Sequence, residues 1–274
     1  MPKWLRWVIL VVALAVFFYS AWKLISIRRR YAVSRAVYSE AAEMFTEHAA
    51  EQSDRATDLP GQTQEIPSSS GETVTAPITV DFDALCSANP DIIGWIYCEN
   101  TPINYPVVLG RSNNDYIHTN YLGEYDPGGS IFADAANNGR FLDYNTILYG
   151  HHMLDHSMFA SLEDWMDQEY FDEHPVMWLL TPEQDYRIDL FSGYVTSADS
   201  ATYTIYQGPR AEFDQYLEES LAKSQFLSPV VPKGTDHCIL LSTCAYVFSQ
   251  ARTVLHGVLT PVDSAGGRPL SQGA

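Results

Sequence analysis

Basic side chains nearly vanish from this chain after its first 35 residues. From residue 36 onward nine lysines and arginines face 34 aspartates and glutamates, a net charge of −25. Phosphate binding needs lysine and arginine on the contact face, so nucleic-acid recognition is excluded. Cysteine is scarce as well: Cys86, Cys98, Cys238 and Cys244 are the full set, too few for a dense disulfide framework. No CxxC pair occurs, which removes the usual ligand set of a structural zinc site. Cys238 and Cys244 lie on one expected strand, too far apart to bridge without reversing the chain. Their even spacing puts both side chains on one sheet face. No internal repeat is visible, which excludes a solenoid. The 274 residues suffice for one substantial domain with appendages.

Long apolar runs are absent too, with one exception. Trp7 to Trp22 carries no charge, and Leu24, Ile25 and Ile27 extend the run past Lys23. A membrane-spanning helix needs roughly 20 apolar residues, and a lysine near its end snorkels to the interface. Trp4, Trp7, Tyr19 and Trp22 suit the headgroup zones. A cleaved signal peptide would have a shorter apolar core followed by small residues, not by Arg28-Arg29-Arg30. The expected layout is therefore a basic flank (1–6) and a transmembrane anchor (7–27). Orientation by charge places the flank with Lys23 and Arg28–Arg30 on the cytoplasmic side.

Residues 28–52 are rich in alanine and glutamate and predict a juxtamembrane helix. Residues 53–78 are polar, with Pro, Gly and Ser throughout, and predict a flexible tether. The folded domain is expected over 79–263, with a frayed tail at 264–274. A short helix fits Asp81–Ala88, ended by Pro90. Eight apolar, β-branched or aromatic runs follow, separated by turn residues: IIGWIYC, INYPVVL, SIFAD, TILYG, VMWLL, YRIDLFSGYVTS, HCILLSTCAYV and RTVLHGVLTPV. Many short strands broken by Gly, Asn, Asp and Pro predict an antiparallel barrel or sandwich. Helical spacing interrupts them over 155–172, through Met158, Phe159, Leu162, Trp165 and Met166, and over 209–224, through Phe213, Tyr216, Leu217 and Leu221.

Three segments carry residues suited to acyl transfer. Thr146 to Met153 is a strand that stops at Gly150 with His151 just beyond. Leu240 to Cys244 (LLSTC) is an apolar strand ending in hydroxyl residues and a cysteine. Arg252 opens the next strand, and the short connection 245–250 lets it face Cys244 across a hairpin mouth. A cysteine attacks an amide only as thiolate and needs a base or cation to supply that form. A guanidinium holds the oxyanion that develops on the carbonyl. An imidazole protonates the leaving amine at neutral pH.

The YGH segment, the LSTC ending and the arginine after it together resemble class B sortases, cell-wall transpeptidases of Gram-positive bacteria. NPDIIGWIYCENTPINYPVV, NNDYIHTNYLGEYDPGGSIFAD and MFASLEDWMDQEYF are similar to the same family's pattern, so the resemblance spans most of 80–262. It implies a mainly β fold, a closed eight-stranded sortase-type barrel with N-terminal helices and a long helix between strands 6 and 7, preceded by the transmembrane helix. It implies cleavage of a pentapeptide sorting signal after threonine, a thioester on cysteine, and transfer of the secreted protein to a peptidoglycan or lipid II amine, with no metal or organic cofactor. Carried over, Cys244 is the nucleophile, His151 the general acid/base and Arg252 the oxyanion and substrate-orienting residue. Ser242, two before the cysteine on the same face by strand alternation, is an expected substrate contact, with Thr243 beside it. Asn113 and Ile117 fall where family members contact the signal's backbone and apolar side chain, and Tyr203, in the loop before the long helix, is expected to join them. The catalytic domain is implied to be extracellular, which conflicts with the charge count. Cys244 is followed by Ala245 where some relatives carry an acidic residue, so contacts from that position are missing. His118, His152 and His156 raise a metal site, but neighbouring strand residues point opposite ways and do not chelate together.

Other cysteine enzymes fit less well. An L,D-transpeptidase shows an SHGC-type motif where this chain has LSTC, and a papain-like protease places its cysteine before its histidine. The alternative from another class is a non-catalytic, membrane-anchored surface-binding domain. All three catalytic positions are filled, which separates the chain from a decayed copy.

Overall fold

A computed structural model describes residues 2–49, 74–245, 247 and 249–264. Most of the expected tether (53–73), the end of the expected juxtamembrane helix and the tail from 265 lie outside the described residues. Proline and glycine are absent from Lys3–Phe45, which forms a single helix, α1, of 43 residues, about 65 Å long at 1.5 Å per residue. Trp7, Val11, Phe17 and Trp22 stand exposed along its first half. Residues 7–27 span about 31 Å, the thickness of a bilayer's hydrocarbon core. This is a candidate membrane span by length and composition.

The second half of α1 belongs to the domain. Ser34, Tyr38, Ala41 and Phe45 recur at helical spacing on one face and are buried. The helix stops at Phe45 instead of running to residue 52. Thr46 is extended (φ −120°), and Thr46–His48 forms a strand, β1, antiparallel to β2 (Ile78–Val80). Asp81 donates its backbone N–H to the Phe45 carbonyl at 2.9 Å, so an orphan carbonyl of the helix end is satisfied by a distant segment. The next helix, α2 (Phe82–Ala88), is capped by the Asp81 carboxylate, which accepts from the Ala84 N–H at 3.0 Å.

The eight apolar runs become, in order, β3 (Ile92–Tyr97), β4 (Asn104–Val108), β5 (Ile131–Ala133), β6 (Asn145–Tyr149), β7 (Val176–Leu180), β8 (Asp185–Ser197), β9 (Cys238–Cys244) and β10 (Ala251–Val262). They close in the order β10-β8-β7-β3-β4-β5-β6-β9. The barrel is mixed, not antiparallel: β4 with β5 and β6 with β9 run parallel. Parallel neighbours need long crossovers, here the loop 109–130 and the segment 150–237. That second crossover contains α4 (Ala211–Lys223), between the sixth and seventh barrel strands as expected. The 155–172 segment departs from its reading. It forms a 3₁₀ turn over Ala160–Met166, then the short helix α3 (Gln168–Glu173), divided at Asp167. The Asp167 carboxylate accepts from the Glu169 and Tyr170 N–H groups and starts a new helix there.

Strand alternation sorts β9 into two faces. Ile239 and Leu241 join the main core with Trp95, Val107, Ile188 and Leu255. On the outer face, Cys238 packs with Phe191, Phe213, Tyr216 and Leu217 beneath α4. Leu240 lies with Ile147, Tyr194 and Val254, covered by Tyr149 and Tyr203. Each fully buried side chain of this size stabilises by roughly 2–3 kcal/mol. The outer face is therefore packed along most of β9 and opens only at its end, where Cys244 sits.

Candidate active site

Three adjacent strands bring His151, Cys244 and Arg252 to one level. β6 and β9 run parallel with Tyr149 opposite Ser242, and the Gly150 N–H donates to the Ser242 carbonyl at 3.1 Å. Two steps further along both chains stand His151 and Cys244. On the other side of β9, Arg252 of β10 is registered opposite Cys244. The Ala245 N–H donates to the Ala251 carbonyl at 2.8 Å, so Cys244 and Arg252 form a non-hydrogen-bonded pair, the arrangement that brings facing side chains closest.

All eight residues singled out in the sequence line one cavity of about 420 Å³: Asn113, Ile117, His151, Tyr203, Ser242, Thr243, Cys244 and Arg252. Their parts in it differ. His151 Nε2 lies 2.7 Å from the Ile117 carbonyl oxygen. A carbonyl only accepts, so the neutral ring carries its proton on Nε2 and leaves Nδ1 as the basic nitrogen. Burial holds the His151 pKa below its ordinary value, and the Ile117 carbonyl pulls the other way. The His118 ring stacks on His151 at 5.4 Å and 8°.

Arg252 donates from Nη1 to the Ala251 carbonyl at 3.0 Å. Among the described residues no carboxylate pairs with it, so its charge stays available to a negative group in the cavity. Tyr203 and Ser242 share a hydrogen bond of 2.8 Å between hydroxyls. Burial pushes the Tyr203 phenol up to about 12, so it stays neutral at physiological pH. Thr243 is 2% exposed and alternates to the opposite face from Ser242 and Cys244. Among the described residues its hydroxyl has no partner. The Asn113 amide is already engaged. Its Nδ2 donates to Asp134 at 2.9 Å and its Oδ1 accepts from the Ala135 N–H at 2.7 Å, so it ties its loop to the end of β5.

Phe132, Tyr149, Gly150 and Ala198 also line the cavity. Tyr149 stacks on Tyr203 at 6.2 Å and 20° and donates to Asp134 at 3.0 Å. Its outward position on β6 was readable from strand alternation. Phe132 and Ala198 arrive through pairings that no local pattern shows.

The other three thiols are removed from such chemistry. Cys98 is buried, and its pKa is pushed up to about 12 by desolvation. Burial also raises Cys238 and Cys86, and all four cysteines are free. A thiol held protonated is a poor nucleophile. His152 and His156 pair separately with Glu163 (3.0 Å) and Asp164 (3.4 Å), and among the described residues no three His, Cys, Asp or Glu side chains are grouped to hold a metal.

No family model matches the chain. The sortase B of Listeria monocytogenes serovar 1/2a is 30% identical over 251 residues, covering 91% of this chain and 94% of that protein. A crystal structure of Staphylococcus aureus sortase B is 29% identical with a TM-score of 0.68, over 84% of this chain and 99% of that one. A substrate complex of the S. aureus enzyme is 34% identical with a TM-score of 0.62, over 66% and 85% of the two chains. A sortase B complexed with triglycine has the same identity and TM-score, over 66% and 86%. With a barrel of the same kind and a cysteine, a histidine and an arginine gathered at one opening, the chain belongs to the class B sortases and is a cysteine transpeptidase.

Proposed function

We propose that the chain cleaves a C-terminal pentapeptide sorting signal after its threonine and joins the threonine carbonyl to a cell-wall amine. The observation that carries this reading is the placement of His151, Cys244 and Arg252 at one level on neighbouring strands, around a single cavity.

Cys244 Sγ passes its proton to His151 and, as thiolate, attacks the carbonyl carbon of the bond after threonine. The oxygen gains a negative charge in the tetrahedral intermediate, and the Arg252 guanidinium holds it. The carbon–nitrogen bond then breaks as protonated His151 gives its proton to the departing amine. A thioester between threonine and Cys244 remains. The acceptor amine attacks that carbonyl, His151 takes the proton, and collapse of the second intermediate releases the Cys244 thiolate. The Tyr203–Ser242 hydroxyl pair and the apolar Ile117 and Phe132 form the walls on which the signal lies. The substrate and triglycine complexes of the relatives support a sorting-signal donor and an amine acceptor. The amine is assigned here to peptidoglycan or its lipid II precursor.

Residues 7–27 anchor the enzyme in the membrane, with the barrel outside the cell facing both substrates. The count of basic residues argues the reverse orientation, and location of a fused reporter on either side decides between them.

The test is cleavage of fluorogenic pentapeptides of the NPxTx, LPxTx, SPxTx and PPxTx types by the full chain in detergent. Tyr38, Ala41 and Phe45 are part of the core, so a fragment that starts at residue 79 lacks part of its own fold. Cleavage after threonine that disappears in Cys244→Ala, His151→Ala and Arg252→Ala supports the reading. Folded protein that cleaves no peptide of these types overturns it.

A further inference from the structure

The loop between β4 and β5 grips His151 twice, through the Ile117 carbonyl on Nε2 and through the His118 ring. What holds that loop is only partly the barrel. The loop folds back on itself: the Ser130 N–H donates to the Tyr116 carbonyl at 3.0 Å, and the Asp126 N–H to the His118 carbonyl at 3.0 Å. This brings Gly129 against Ile117. Gly129 has φ +57°, and a Cβ placed on it would stand 2.3 Å from the Ile117 carbonyl oxygen. Nothing larger than hydrogen fits between them, so a shift of Gly129 toward that oxygen displaces the acceptor of His151.

Helix α1 grips the far side of the same glycine. Tyr38 is 3% exposed and donates its hydroxyl to the Gly129 carbonyl. Its ring sits between Tyr105 and Tyr121, at 5.5 and 5.9 Å. One turn earlier, Ser34 Oγ lies where a Cβ on Gly128 would fall, at 2.7 Å. A buried tyrosine hydroxyl takes whatever partner is near, and core packing alone would account for that bond. The distinguishing fact is what lies behind the partner: one residue in contact with both the helix and the carbonyl that orients His151.

We infer that Tyr38 is a positioning residue for His151: docking of the membrane-proximal half of α1 on the barrel, relayed through Gly129 and Ile117, holds the ring in its Nε2–H tautomer with Nδ1 free. The inference rests on the reading of His151 as the acid/base. It makes the seating of α1 a condition of full activity, because a helix pulled from the barrel releases the loop.

The test uses the full chain in detergent micelles with ¹⁵N-labelled histidine, comparing wild type, Tyr38→Phe and Phe45→Leu. Tyr38→Phe keeps the ring packing and removes only the hydroxyl. The expected result is a fall in kcat of roughly tenfold, the scale of one hydrogen bond, with KM unchanged. The two ¹⁵N shifts of His151 move toward each other as the tautomers mix. Phe45→Leu trims a core side chain at the end of the helix and leaves the Tyr38 hydroxyl seated on Gly129; it lowers Tm and leaves the His151 shifts in place. Wild-type shifts or wild-type kcat in Tyr38→Phe would overturn the inference, as would equal movement in Phe45→Leu. The underlying reading fails separately, if His151→Ala keeps wild-type turnover whatever the ¹⁵N spectra show.

Discussion

Replacing Arg252 removes the cation registered opposite Cys244 and should act on the rate, not on the fold. The side chain is half-buried at the strand end, makes one hydrogen bond to its own neighbour's carbonyl, and lies outside the hydrophobic clusters. Its loss should leave Tm nearly unchanged. The effect on acyl transfer is larger. Loss of one preorganised oxyanion donor costs about 2.7–4 kcal/mol, or a factor of about 10²–10³ in kcat. Arg252→Ala should fall in that range, measured as the single-turnover rate of acylation by the best peptide of the library. Arg252→Lys keeps the charge and loses the planar fork, so its rate should lie between the two. A loss of less than about tenfold in Arg252→Ala, equivalent to about 1.4 kcal/mol, would refute the assignment and leave the oxyanion to main-chain N–H groups.

Three further predictions concern what surrounds the site. Burial lowers the His256 pKa to about 3, against about 6.5 in an unfolded chain. Below pH 6.5 the unfolded chain takes up a proton that the folded one refuses, so stability declines as pH falls toward 3, by about 1.4 kcal/mol per pH unit. Urea midpoints measured from pH 7 to 4.5 should show this slope, and His256→Phe should flatten it. Tyr203→Phe and Ser242→Ala each break the 2.8 Å hydroxyl pair and should each cost about 1 kcal/mol. The double variant should cost less than the sum of the two in thermal denaturation; strict additivity would mean the pair is not coupled. Gly129→Ala forces a side chain into left-handed backbone, at a cost of about 1–2 kcal/mol, and into the Ile117 carbonyl. Calorimetry should show a clear loss of Tm, and an unchanged Tm would contradict the described loop.

The eight barrel strands and α4 were legible because each apolar run is bounded by its own turn residues, a local signal. Pairing is not local. The parallel contacts of β4 with β5 and β6 with β9 depend on crossovers that no periodicity records, and an antiparallel expectation was the result. The helix end at Phe45 was invisible for a similar reason: the N–H that takes its carbonyl belongs to Asp81. The 155–172 pattern marked the correct buried side chains but not the break at Asp167, whose cap outweighs helical continuity. At the site, Cys244 and Arg252 could be placed together because they flank one hairpin. His151 joined them through resemblance to a family, since its neighbour in the barrel is distant in sequence. The engaged amide of Asn113 and the inward turn of Thr243 depend on three-dimensional partners that a motif does not show.

The central claim is a covalent intermediate on Cys244, and the most direct measurement is its capture. The full chain is mixed with the best peptide in the absence of acceptor amine, quenched in acid and weighed intact. The account predicts an added mass equal to the peptide up to and including its threonine, less one water, mapping to the fragment that contains Cys244 and released by hydroxylamine. Cleavage of the peptide with no such adduct, or an adduct on Cys86, Cys98 or Cys238, would contradict it.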